Sequence, residues 1–169
     1  RHVALMLQRA LLAEAQGDAD TARQLLCETL AGTPSQPDDE NDSVPLVEVV
    51  LQLVNLERRL LATAGADCSR SARGWDACLR VYSENVDRFL RLRRWKEAAH
   101  VVMHQAAFLT QVARDVAGAR EAYLNCLARL RTAASASPSD DADVVRVVEV
   151  SVLQGYMSFE KTLGGPDKI

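Results

Sequence analysis

The stretch that decides the fold is residues 11–30, which reads LLAEAQGDADTARQLLCETL. Its two Leu- and Ala-rich halves are separated by Gly17 and Asp18. Glycine commonly follows the end of a helix, and aspartate is a favoured N-cap of the next one. The stretch therefore predicts two helices joined by a tight turn, the second of which opens with Ala22 and Arg23.

The same order of features recurs along the chain. A helix ends in a Glu or Gln, a break follows, and the next helix opens on Ala-Arg, at positions 22, 72 and 119. The distance from Glu14 to Ala22 is repeated from Gln111 to Ala119. The signature residues are Glu14, Ala22 and Arg23, then Glu57, Ala72 and Arg73, then Gln111, Ala119 and Arg120, and finally Tyr156, Phe159 and Glu160. Such a repeat predicts an α-solenoid, because one hairpin cannot bury its own apolar stripe.

Each signature residue has a physical reason. The small Ala lets the second helix approach the first closely. The Glu has two candidate partners: groups at the start of the facing helix, or an Arg of the adjacent hairpin. Either contact would fix the angle at which hairpins stack.

Composition narrows the class of protein. With 48% hydrophobic and 25% charged residues and a net charge of −3, the chain is neither a disordered tail nor a membrane protein. Its pI near 5.6 argues against wrapping nucleic acid by bulk electrostatics. Four Cys without a C-x-x-C pair indicate reduced intracellular thiols. The absence of a leader before the first helical pattern leads us to expect a fragment of a longer array.

Apolar periodicity and Gly/Pro breaks predict an all-α fold of about seven helices in one segment, 1–169. In the first helix, Leu5, Leu12 and Ala15 lie close to one face. The β-branched run 145–152 also carries a strand signal, but its 3.6-residue spacing favours a helix. The predicted hairpins span about 2–31, 45–90 and 95–132, followed by a half repeat at 142–169.

The repeat resembles the half-a-tetratricopeptide (HAT) repeat, whose first helix carries aromatic and Glu positions and whose second begins near Ala-Arg. Residues 156–160, YMSFE, are similar to the first-helix signature, and residues 118–127, GAREAYLNCL, to the second. The first copy lacks the expected aromatics, the second has an insertion, and the third has Gln111 in place of Glu. The ordinary tetratricopeptide repeat is an alternative, although its period of about 34 residues is not met.

HAT proteins are scaffolds in splicing, polyadenylation and ribosomal RNA maturation. The order of helices here is most similar to the carboxy-terminal arrays of U1 snRNP-associated pre-mRNA splicing factors. The resemblance implies a nuclear protein without a cofactor or catalytic site. It also implies assembly with other proteins of an RNA-processing complex, and a homodimer or heterodimer through the carboxy-terminal hairpins.

One cluster of basic residues offers a different function. An RNA-phosphate or acidic-peptide contact could use it, with the Trp as a stacking platform. The alternative is a solvated helix junction whose Arg residues pair with Glu84, Asp87 or Glu97. The cluster consists of Arg88, Arg91, Arg93, Arg94, Trp95 and Lys96.

The remaining candidate residues concern metal binding, catalysis and cysteine chemistry. Glu97, His100 and His104 have the spacing of half a metal site, but no second half exists, so we expect no metal. No nucleophile motif or Gly-rich phosphate loop is present, and we expect no enzyme activity. Cys27, Cys78 and Cys126 fall on apolar stripes and are predicted to be core residues. The open alternatives are a peptide-binding adaptor, an RNA-binding module and a helical metalloenzyme.

Overall fold

The computed structural model describes residues 2–32, 43–63, 72–136 and 139–163. These ranges contain seven α-helices, one 3-10 turn and no strand, which confirms the predicted all-α class. The run 145–152 is helical, so the strand alternative is wrong. The helices are α1 (His2–Ala15), α2 (Ala19–Ala31), α3 (Ser43–Thr63), α4 (Asp76–Arg91), α5 (Trp95–Gln111), α6 (Val116–Ala136) and α7 (Ser139–Thr162), and the 3-10 turn is Ala72–Trp75.

The chain forms two compact units, Arg1–Val101 and Val102–Ile169, and the division falls within α5. The predicted hairpins 2–31 and 45–90 belong to the first unit. The predicted hairpin 95–132 contains the division, and the half repeat 142–169 belongs to the second unit. Residues 164–169 of that half repeat lie outside the described residues.

In the first unit, α2 packs against both α1 and α3, and α3 packs against α4. Ala22, Leu26 and Leu30 form the buried stripe of α2. The buried residues of α1 are Ala10 and Ala13, whereas Leu5, Leu11 and Leu12 are exposed. The face of α1 that the sequence marked by Leu5 and Leu12 is therefore not its packing face, because the small alanines lie against the neighbouring helices instead.

The turns between helices follow local chemistry. Gly17 ends α1 with a positive φ of 84°, where a side chain would be strained. Asp18 caps α2 as predicted, since its carboxylate accepts a hydrogen bond from the Thr21 amide at 3.0 Å. Asp115 caps α6 in the same way, through the Gly118 amide at 2.8 Å.

The second unit is built on α6 and α7. Val145, Val148 and Val152 form the buried stripe of α7. Gly155 continues that helix at a point of close approach, because a Cβ there would lie 3.2 Å from the Met103 sulfur. A side chain at position 155 would therefore require the Met103 side chain to shift by a few tenths of an ångström.

The end of the predicted hairpin 95–132 differs from the structure. Within that hairpin, α5 ends at Gln111, before Arg114, which adopts a positive φ of 58°. Helix α6 continues past Thr132 to Ala136, where the Ser135 hydroxyl donates back to the Arg131 carbonyl. Within the described ranges, no helix is long and apolar enough to cross a membrane.

The turn at Gly17 provides a stability test. Replacing Gly17 with Ala should lower the free energy of unfolding by about 1 kcal/mol, because the left-handed conformation is unfavourable for a residue with a Cβ. Urea unfolding followed by far-UV circular dichroism measures the change. Gly32→Ala is the control, since Gly32 has a φ of −78°, and equal losses in both variants would contradict the interpretation.

Candidate protein-interaction surfaces

An ion pair joins α2 to α3 at the repeat signature. The Arg23 guanidinium donates from Nε to Glu57 Oε1 at 2.6 Å and from its terminal nitrogen to Glu57 Oε2 at 3.1 Å. The hydrogen bonds to Glu57 raise the pKa of Arg23. Two parallel bonds fix both the distance and the orientation of the two planar groups, so the pair specifies how these helices pack.

The second unit repeats this ion pair between α6 and α7. Arg120 donates from Nε to Glu160 Oε1 at 2.6 Å and from its terminal nitrogen to Glu160 Oε2 at 2.9 Å. The Arg120 hydrogen bond lowers the pKa of Glu160, and a hydrogen bond from Tyr156 adds to the effect. Both carboxylate oxygens are held, as they are in Glu57.

The two ion pairs have the same local surroundings. Each Arg follows a fully buried alanine, Ala22 in one unit and Ala119 in the other. Both alanines lack the bulk that would separate the paired helices. The hydrogen-bonded atoms of the two ion pairs are also the same. The arrangement of a buried alanine followed by an arginine bonded twice to a glutamate is therefore repeated in the structure as well as in the sequence.

In the second unit, three aromatic side chains lie beside the Arg120–Glu160 ion pair. The ring centroid of Tyr123 lies 5.5 Å from that of Tyr156 and 5.6 Å from that of Phe159. Corresponding positions in the first unit carry the buried leucines 26, 53 and 56. The aromatic and aliphatic versions bury apolar surface beside the same ion pair.

Two further ion pairs join helices within a unit, and in the first of them a signature Glu pairs with an Arg of the adjacent hairpin, which is one of its two predicted partners. Glu14 of α1 pairs with Arg59 of α3 in the first unit. In the second unit, Arg131 of α6 donates to Glu149 of α7 at 2.6 Å. Arg59 and Arg131 lie outside the Ala-Arg motif, so no repeat signal marked them. Each of these two glutamates therefore contacts an arginine of another helix in its unit.

The remaining signature positions add little to this network. Gln111 ends α5 and is exposed. The backbone of Ala72 and Arg73 lies in the 3-10 turn, but their side chains lie outside the described residues, as does Cys68.

The structure divides the basic cluster. Arg94 is only 2% exposed and donates to Glu97 at 2.6 Å, so it is not available to a partner. Trp95 is half-buried. Arg91 and Arg93 are exposed, as is Lys96, and Arg88 borders a cavity. The exposed part of the cluster is therefore a small cationic patch on the α4–α5 turn.

The predicted half metal site does not assemble. Glu97 is buried and paired with Arg94, whereas His100 and His104 are exposed. Among the described residues, no group of three or more His, Cys, Asp or Glu side chains could hold a metal ion.

A cavity of about 150 Å³ lies among α2, α3 and α4. Cys27 borders it and is exposed, so the prediction of Cys27 as a core residue is wrong: α2 turns that edge toward the cavity and solvent. Cys78 and Cys126 are buried as predicted, and burial raises the pKa of Cys126 to about 11. The cavity is lined by Arg23, Cys27, Leu30, Leu53, Glu57, Val81, Glu84, Asn85 and Arg88.

Groups of large apolar side chains remain exposed on α1 and α7. Leu5, Leu11 and Leu12 are exposed on α1, in the first unit. On α7, the exposed fractions are 69% for Val147, 52% for Val150 and 57% for Met157. Clusters of exposed apolar residues are typical of surfaces that bind other proteins.

The chain was compared with protein-family models, curated proteins and solved structures, and no significant match was found. Its function is therefore inferred from its own residues and their geometry.

The Arg23–Glu57 pair should contribute a measurable coupling to stability. In a double-mutant cycle with Arg23→Met and Glu57→Gln, we expect about 0.5–1 kcal/mol, since a partly exposed bidentate pair is screened by solvent. Denaturant unfolding of the four proteins measures it. A cycle with Asp20→Asn is the control, because Asp20 is 98% exposed and 3.4 Å from Arg23. Equal coupling in both cycles would contradict a specific role for Glu57.

The Arg120–Glu160 pair makes a prediction about pH. Because the pKa of Glu160 is below its ordinary 4.5, its stabilising contribution is present above that pH and is lost as the pH falls through the lowered pKa. An NMR titration of the Glu160 carboxyl should show the low midpoint, and Arg120→Met should raise it. Tyr156→Phe should raise it less. An unchanged midpoint in Arg120→Met would show that Arg120 does not cause the shift.

Proposed function

We propose that this chain is a non-catalytic scaffold for protein–protein interaction, built from HAT-type helix hairpins that stack into an α-solenoid. The proposed setting is a nuclear RNA-processing particle, and more specifically pre-mRNA splicing in association with the U1 snRNP. The observation that carries the proposal is the repeated ion pair: Arg23–Glu57 and Arg120–Glu160 join signature residues with the same bidentate geometry.

This geometry supports a solenoid for a physical reason. A buried alanine permits close approach, and two parallel hydrogen bonds beside it restrict rotation of one helix against the other. If a junction of that kind is used at each hairpin, successive hairpins have the same distance and orientation relative to one another. Hairpins that keep the same relative distance and orientation stack into an extended array.

Exposed apolar side chains support a role in binding proteins. Leu12 on α1 and Val147 on α7 lie among other exposed apolar residues and are costly to leave in water. In the proposal, such faces contact other proteins of the complex. The carboxy-terminal hairpins additionally mediate a homodimer or heterodimer.

Two alternatives each have one observation in their favour. The exposed cations Arg91, Arg93 and Lys96 favour an RNA-contacting module. The cavity beside Cys27 favours a cytosolic peptide-binding adaptor of the tetratricopeptide type. Arg94 does not contribute to the first alternative, since it is buried against Glu97.

Affinity purification of the tagged protein from nuclear extract tests the proposal. Splicing proteins and U1 RNA should be enriched, as measured by mass spectrometry and RNA sequencing. The double variant Arg91→Glu/Arg93→Glu should retain the same proteins, because the proposed contacts are between helical faces. Both substitutions are at exposed positions, so the fold should persist.

Other outcomes would select an alternative. Loss of all RNA-processing proteins in the double variant, with RNA binding by the unmodified protein that weakens steeply with salt, would indicate the RNA-contacting module. Recovery of cytosolic proteins with short carboxy-terminal peptides as ligands would indicate the adaptor.

A further inference from the structure

The cavity among α2, α3 and α4 is large enough for one ring-sized group. Part of its lining is apolar, with the buried Leu30 and Leu53 and the partly buried Val81. Its volume is about 150 Å³, and apolar cavities of this volume bind a benzene molecule. It opens to solvent beside the exposed Cys27. The space therefore suits a single aromatic ring that enters from outside the molecule.

Asn85 gives this cavity an unused hydrogen-bond acceptor. Its side chain lines the cavity and is only 6% exposed. The amide nitrogen donates to the Val81 carbonyl at 2.7 Å, which fixes the orientation of the amide. Among the described residues, none donates to the amide oxygen, and none has a fully buried side-chain oxygen or nitrogen without a partner. The Asn85 oxygen therefore keeps its remaining contact with solvent, and the cavity is where Asn85 meets solvent.

We propose that the cavity binds one tyrosine side chain of a partner protein. The ring contacts the apolar lining, and the hydroxyl donates to the Asn85 amide oxygen. A phenylalanine would fill the same space but would leave that oxygen with neither water nor a donor, which is costly. A serine would satisfy the oxygen but leave the apolar lining in water. Tyrosine combines one ring with one donor, which is what the cavity requires.

Two charged residues of α4 extend the site at its rim. Glu84 and Arg88 line the cavity, lie one helical turn apart and are at least partly exposed. Neither side chain forms a hydrogen bond or an ion pair with another described residue, whereas Arg23 and Glu57 of the same lining are bonded to each other. A guanidinium beside a tyrosine ring adds a cation–π contact. A basic residue next to the tyrosine in the partner would complement Glu84.

An NMR titration of the purified full chain with p-cresol, the side-chain analogue of tyrosine, tests the site. The amide signals of the cavity residues should shift with a dissociation constant on the order of 1 mM, as expected for so small a ligand. Toluene lacks the hydroxyl and should bind about 10-fold more weakly, because it leaves the Asn85 oxygen without a partner. Toluene binding that equals that of p-cresol, or shifts that arise away from the cavity, would overturn the proposal.

The variant Asn85→Leu tests the acceptor itself, since leucine keeps an apolar side chain of similar size. It should bind p-cresol about 10-fold more weakly than the unmodified chain does and should bind toluene at least as well. A merely structural role of Asn85 would lower the binding of both probes together. Retention of the p-cresol preference in the folded variant would show that Asn85 is not the acceptor.

A second variant fills the cavity without altering Asn85. Cys27→Phe introduces a ring at an exposed position on the cavity border, and p-cresol binding should be lost. Ser83→Phe is the matched control, because Ser83 is exposed on α4 but does not line the cavity. It should bind p-cresol as the unmodified chain does. Equal binding by both variants would place the probe elsewhere.

Two more probes identify the source of the ring. N-acetyl-tyrosinamide should bind with an affinity similar to that of p-cresol, because a partner's backbone must follow its side chain to the rim. Loss of binding would indicate a site for a free phenol and overturn the protein partner. The tryptophan analogue 3-methylindole should bind more weakly than p-cresol, since the cavity holds one ring. Tighter binding of 3-methylindole would overturn the choice of tyrosine.

The inference deepens the proposed scaffold role, on which it rests only in taking the partner to be a protein. The two can fail separately. Binding of p-cresol and N-acetyl-tyrosinamide without enrichment of RNA-processing proteins would leave the site in place and overturn the proposed setting. Enrichment of those proteins without binding of either probe would do the reverse.

Discussion

The architecture depends on a planar arginine held by a planar carboxylate beside a buried alanine. Apolar burial supplies most of the free energy that holds two helices together, but it is not directional. The bidentate Arg23–Glu57 contact is directional, and Ala22 beside it sets how closely α2 can approach. The second unit uses Arg120, Glu160 and the aromatic cluster around Tyr123 to the same end. Orientation and apolar burial are thus provided by adjacent residues.

Much of the local structure could be predicted from sequence because it depends on near neighbours. Gly17 and Asp18 determine where one helix ends and the next begins, and the structure places both as expected. The 3.6-residue spacing through Val148 and Val152 correctly outweighed the β-branched composition of that run. These features require no knowledge of the tertiary contacts.

Features that depend on distant contacts were harder to predict. Periodicity marks an apolar face but does not show which of two faces receives a neighbour, so the exposed Leu5–Leu12 face of α1 was misjudged. Pairing of Arg94 with Glu97, three residues along the chain, was among the predicted alternatives, but the near-complete burial of both side chains was not predicted, because it depends on the rest of the unit. Cys27 lies on the apolar stripe of α2 in the sequence, but in the structure it borders a cavity and is exposed. Arg59 and Arg131 carry no motif that would reveal their distant partners.

The buried Arg94–Glu97 contact also limits how this sequence can change. Both side chains are almost fully enclosed, so loss of the Arg94 charge leaves the Glu97 carboxylate buried without its guanidinium partner, at a cost of about 3–5 kcal/mol. Replacing both together by apolar residues of similar volume can be nearly neutral. Divergence at these two positions is therefore expected to occur in concert, through a compensating second substitution, or not at all.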